Sequence, residues 1–176
     1  MDVAWILHTY SRYLAQYGQF AFVPGQPSAG STSPLWTLLL SAGRLAGIPD
    51  WPWTIFLGWL GLAGTAWAAY RLAGRLFPCR PALALAIGAL CSLEWHLIWA
   101  ALSGMETLLF CLLSLALLAR SGGESTRAGR QGLVTGVLGA LLVLTRPEGA
   151  LLVALAALSP WVALVQRRLG ARGHTT

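Results

Sequence analysis

Lysine does not occur in this chain, and charge of either sign is scarce. Twelve cations, all arginine, and six carboxylates make only 10% of the 176 residues charged. An ordinary soluble domain has about a quarter of its residues charged, so the composition falls well outside that class. Metal-type cysteine spacing is missing too. Cys79, Cys91 and Cys111 are odd in number, and two lie inside apolar runs, as small buried residues without a redox task would. No cleavable leader is visible, because Met1 is followed at once by Asp2 instead of a basic region and an apolar core. Internal repeats of the kind transport proteins carry are also lacking.

What remains is apolar: 56% of the residues are hydrophobic and nine are tryptophan. These proportions imply an integral membrane protein. A net charge of +6 would suggest nucleic acid as partner in a soluble domain. Here most arginines sit at the ends of apolar runs, where positive residues fix which end of a helix stays cytoplasmic. No nucleic-acid partner is expected.

Six apolar runs follow an opening segment. The first starts after Ser33-Pro34 and ends near Ile48-Pro49, interrupted by Arg44. At about fifteen residues and 1.5 Å per residue it reaches roughly 22 Å, short of a hydrocarbon core about 30 Å thick. A short juxtamembrane or re-entrant helix is therefore expected there. The others run from Trp53 to Leu72, Pro81 to about Ser103, Thr107 to Ala119, Leu133 to Leu144 and Ala150 to about Val165. Arginine clusters at 71–80, 120–130 and 167–172 fall at alternate ends of these runs and assign those ends to the cytoplasm. "IPDWPW", "LSGMET" and "TRPEG" then face outward, with Trp51, Trp53, Trp95 and Trp99 near them as an aromatic belt. The expected fold is all-α, a multi-pass membrane helical bundle. It has about five transmembrane helices and short juxtamembrane helices in the N-terminal external segment. Residues 1–33 form that external segment, 34–166 the membrane module and 167–176 a basic cytoplasmic tail. The cell membrane is the expected location, with the site on the extracytoplasmic side.

Three outward-facing features carry chemistry: Asp2 with the aromatic segment behind it, Glu106 in "SGMET", and Arg146 with Glu148 in "TRPEG". A positioned carboxylate serves as general base for a hydroxyl nucleophile, and an arginine fork holds a phosphate through two parallel bonds. Together they suit transfer of a group from a phosphorylated donor to an alcohol. Plainer roles exist for each. Asp2 could be a solvated terminal residue, Glu106 could stabilise a helix N-terminus, and Arg146 could pair with Glu148 or reach lipid phosphates. Glu94 and His96 are either functional groups at membrane depth or wet residues at the outer end of their helix, and the second reading is preferred.

The order of these pieces resembles the N-terminal part of GT-C type polytopic glycosyltransferases. That group includes protein O-mannosyltransferases, the aminoarabinose transferase of lipid A and arabinofuranosyltransferase-like proteins. The resemblance is carried by "DVAWI" at 2–6, "YSRYLAQYG" at 10–18, "FAFVPGQPSAGSTSPLWTLLL" at 20–40, "LSGMETLLF" at 102–110 and "LTRPEG" at 144–149, and it spans essentially the whole chain. It implies transfer of a sugar from a polyprenyl-phosphate donor to a glycan, lipid or protein acceptor, usually with inversion. Asp2 would then be the catalytic base and Glu106 a second site carboxylate. Arg146 would lie near the donor phosphate, and Tyr10 and Arg12 belong to a Tyr-x-Arg motif.

The sequence also departs from the family pattern. Val3 stands where the second acid of a pair belongs, which puts any divalent cation in doubt. Family members are longer and place a helix before that acid, so the chain looks like an N-terminal module, not expected to be active alone. A catalytically inactive scaffold and a transporter module, with Glu94 and His96 on its path, stay open as alternatives.

Overall fold

A computed structural model describes residues 3–23, 26–28, 30–121 and 128–158, and 80% of these are helical. Helix α1 (Val3–Tyr17) is followed by a small antiparallel hairpin, β1 (Ala21–Val23) and β2 (Gln26–Pro27). Then come α2 (Pro34–Leu45), α3 (Asp50–Leu76), α4 (Pro81–Leu93), α5 (Trp95–Leu102), α6 (Thr107–Ser121), α7 (Ala128–Thr145) and α8 (Gly149–Leu158). The all-α class therefore holds, with one local addition in the hairpin, and α1 and α2 are short helices as expected.

Helix α1 buries Leu7, Tyr10 and Ser11, spaced three to four residues apart, and Leu7 packs against α2. Tyr10 also packs against Phe20 and Phe22, with ring centres 6.3 and 6.0 Å away, and bonds Ser28 Oγ at 2.7 Å. In this way the hairpin is fastened to α1. Helix α2 starts with Pro34, whose missing N–H costs nothing in a first turn. Its inward face is Trp36, Thr37, Leu40 and Ser41, and Trp36 and Leu40 join Leu7 in one apolar cluster.

Helix α3 is the central element and packs on α2, α4, α5 and α6. Its buried stripe is Thr54, Gly58, Leu62, Thr65, Ala69 and Ala73, mostly small residues three or four apart. Small residues let helix backbones come close. At Gly58 the approach is closest, since a Cβ added there would lie 2.0 Å from the Ala101 carbonyl oxygen of α5.

The apolar run from 81 to 103 is two helices, not one. At Glu94 the backbone turns extended (φ −67°, ψ 124°), and α4 and α5 meet at a bend of 48°. Glu94 accepts from the Leu97 amide at 2.8 Å, so the acid that interrupts the run caps the helix that follows. Leu113 and Leu117 of α6 pack with Leu142 of α7 in a separate cluster.

Polar side chains are inside: Ser11, Thr37, Ser41, Thr54, Thr65, Glu106 and Thr145 are all buried. Large apolar side chains are outside, among them Phe56, Trp59, Leu60 and Trp67 on α3, Leu85 and Leu90 on α4, and Leu151 and Leu155 on α8. Among the described residues no single helix is long and apolar enough to cross a membrane, and only the bent pair α4 and α5 passes that test together.

Candidate functional site

The N-terminal end of α3, the C-terminal ends of α2 and α5, the α5–α6 turn and the N-terminal half of α1 come together around a cleft of about 970 Å³. Residues of α1 line one wall: Ala4, Trp5, His8, Thr9 and Arg12, at the one-turn spacing that keeps them on one face. Arg44 and Asp50 line another wall, and Ser103 to Met105 a third.

The α5–α6 turn takes its shape from Gly104, whose φ of +75° is costly for any residue with a side chain. Its carbonyl oxygen accepts from the buried Trp36 Nε1 at 3.0 Å, which ties α2 to the turn. A Cβ on Gly104 would come within 3.2 Å of Thr54 and 3.9 Å of His8 Nε2, so the turn sits directly on the cleft's polar floor.

That floor is a connected cluster. Arg44 Nη2 meets Asp50 Oδ2 at 2.6 Å and also donates to the His8 carbonyl at 3.3 Å. Its Nε is buried with no partner among the described residues. Thr54 Oγ1 lies 2.7 Å from the Asp50 carbonyl and 3.4 Å from His8 Nε2. A hydroxyl has one proton, and Thr54 gives it to the carbonyl. Toward His8 it can then only accept, so the histidine carries its proton on Nε2. Burial lowers the His8 pKa, with Asp50 opposing and Arg44 assisting. The imidazole is therefore held neutral. Among the described residues that line the cleft, two cations face one anion, and Arg12 is the cation without an ion-pair partner.

The residues singled out from the sequence fall in several places. Arg12 lines the cleft. Tyr10 does not, being buried against the hairpin. Asp2 lies outside the described residues, and its near neighbours Ala4 and Trp5 line the cleft. Glu106 follows the lining residue Met105 but turns inward, with its side chain only 3% exposed, and Oε1 accepts from Arg146 Nε at 2.8 Å. Its Oε2 is buried with no partner among the described residues. Arg146 thus pairs with Glu106 and not with Glu148, which is exposed. The guanidinium also lies 6.0 Å from the Phe110 ring centre. Neither Glu106 nor Arg146 lines the cleft, so both shape it from behind. Glu94 and His96 pair with each other at 2.6 Å on an exposed surface at the helix bend, away from the cleft lining.

Sequence reasoning missed His8, Arg44 and Asp50 as site residues. A signal was present: in a chain with little charge, Arg44 and Asp50 bracket the turn "LAGIP", which brings their side chains together. As for a divalent cation, no group of three or more His, Cys, Asp or Glu gathers among the described residues. Among the described residues Asp50 is the one carboxylate lining the cleft, and it already neutralises Arg44. The described residues therefore do not fit a metal.

No protein family, curated protein or solved structure matches this chain.

Proposed function

We propose that this chain is the N-terminal module of a multi-pass membrane glycosyltransferase of the GT-C type. It would transfer a sugar from a polyprenyl-phosphate donor to an acceptor hydroxyl on the extracytoplasmic side. The observation that carries the reading is convergence. The segment behind Asp2 and the "SGMET" turn, far apart in sequence, line one cleft, and the "SPLW" stretch and "TRPEG" are tied to that turn from behind by the Trp36–Gly104 and Glu106–Arg146 contacts.

A membrane setting is supported by the apolar outer faces of α3, α4, α7 and α8. Exposed apolar area on this scale marks an interaction surface. It is also supported by charge placement. Arg71, Arg75, Arg80 and Arg120 cluster at the helix ends opposite the cleft, where the positive-inside rule places the cytoplasm.

In the proposed reaction Asp2 takes the proton of the acceptor hydroxyl as the oxygen attacks the anomeric carbon of the donor sugar. The bond from that carbon to the phosphate oxygen breaks, and its electron pair leaves with the polyprenyl phosphate. A single direct displacement inverts the anomeric centre. Arg12, which lines the cleft and has no ion-pair partner among the described residues, is better placed than Arg146 to steady the departing phosphate. Arg146 supports the "SGMET" turn through Glu106.

The test is Asp2→Asn in the intact protein in its native membrane, with transfer measured from a polyprenyl-phosphate sugar. Loss of a general base should slow transfer by about 10²–10⁴-fold. A rate equal to wild type overturns the reading.

A further inference from the structure

We infer that the acceptor is a glycan, held in the cleft by Trp5, Trp51 and Trp99. The inference rests on the reading above and specifies the acceptor class it leaves open.

Two tryptophans in this half of the molecule serve the fold. Trp36 is buried with its N–H on Gly104, and the partly buried Trp53 donates to the Leu39 carbonyl at 2.9 Å. Trp5, Trp51 and Trp99 behave differently. They come from α1, α3 and α5, line the same cleft, and are 67, 62 and 58% exposed. None of their indole N–H groups has a hydrogen-bond partner among the described residues. Three walls thus each present an aromatic face and a free donor.

Free aromatic faces beside both donors and acceptors match the two-sided chemistry of a sugar ring. Its axial C–H face is apolar and stacks on an indole, while its equatorial hydroxyls both give and take hydrogen bonds. Arg12 and the indole N–H groups supply donors. The Asp50 carboxylate, 43% exposed and bound to Arg44 through Oδ2, supplies an acceptor. Neither part of the lipid donor uses this full set. An isoprenoid tail leaves the polar groups unmatched, and a phosphate, which Arg12 can hold, leaves the three aromatic faces unused. At about 970 Å³ the cleft is at the upper end of the roughly 300–1,000 Å³ typical of small-molecule sites, which leaves room for acceptor sugars beside the donor head group.

The test uses the full chain in detergent micelles and measures binding, not turnover. Maltohexaose, xylohexaose, mannohexaose and arabinohexaose cover pyranosyl and furanosyl rings. Saturation-transfer NMR reports ring protons held against aromatic groups, and polyprenyl phosphate is titrated in parallel. At least one oligosaccharide should bind, and Trp51→Ala and Trp99→Ala should each weaken it about tenfold. Trp99→Phe should restore most of that loss, and Trp59→Ala, on the outer face of α3, should change nothing. Circular dichroism of each variant checks that the helices are intact.

If polyprenyl phosphate binds and no oligosaccharide does, the glycan inference falls while the transferase reading stands with a lipid or protein acceptor. Sugar binding indifferent to Trp51 and Trp99 also overturns the inference, because the rings would then be membrane anchors. If neither ligand binds, the transferase reading falls with it.

Discussion

His8 is the residue whose role is clearest from its surroundings. Its ring is half enclosed between α1 and α3, next to a threonine that can only accept and an arginine that repels a second positive charge. The folded state therefore holds the neutral imidazole, with a pKa below the ordinary 6.5. Between the lowered value and 6.5 the unfolded chain binds the proton and the folded one does not. Stability from this group is thus fully present above 6.5 and declines as the pH falls through that window. Thermal unfolding in detergent across that range should show the decline in wild type, and His8→Gln should lack it. Glu106 and Arg146 teach a different lesson at the same scale. Both stood out in the sequence as charges in an apolar chain, but their partnership did not. Local reasoning offered Glu148, two residues along, whereas the actual partner is forty positions away, because α6 and α7 run side by side. That these two charges stand out in an apolar chain was legible, whereas which charge meets which depends on helix packing that no short window contains.

At the scale of elements, most helix positions followed from apolar runs and their punctuation. Pro34, Pro81 and the "SGMET" and "TRPEG" breaks all mark observed boundaries. The exception is the run ending at Ser103. Hydropathy averages over Glu94 and shows one span, while the backbone breaks there because the side chain can cap the next turn. The hairpin was hidden for a similar reason, since its strands hold three and two residues and depend on Tyr10 for an anchor. Gly104 is the element boundary with the most attached to it. Gly104→Ala combines a left-handed backbone with a Cβ pressed on Thr54, and should cost about 1–3 kcal/mol. A lowered unfolding midpoint together with loss of the His8 pH response would locate the damage at the cleft floor. A lowered midpoint with the response intact would place it elsewhere.

For the whole molecule, large apolar groups lie outside as well as in the core, and several hydroxyls are buried among the apolar clusters. The proposed orientation can be checked at one atom. Cys79 is exposed in the turn between α3 and α4, among Arg75 and Arg80, at the end opposite the cleft. In a variant carrying Cys91→Ser and Cys111→Ser, a membrane-impermeant maleimide added to intact cells should leave Cys79 unlabelled. Permeabilised cells should label it fully. Labelling of intact cells would reverse the assigned sides.

The bond from Trp36 to Gly104 also sets an order in time. It joins positions 68 residues apart. At synthesis rates of roughly 5–20 residues per second, the indole leaves the ribosome about 3–14 s before its acceptor. Helix α1 and the start of α2 are made first and can pack on each other, yet the buried Trp36 N–H gains its partner only when the turn after α5 arrives. The cleft is therefore among the last features to close in this half of the chain, and a nascent chain stalled before residue 104 would present its N-terminal wall unsupported.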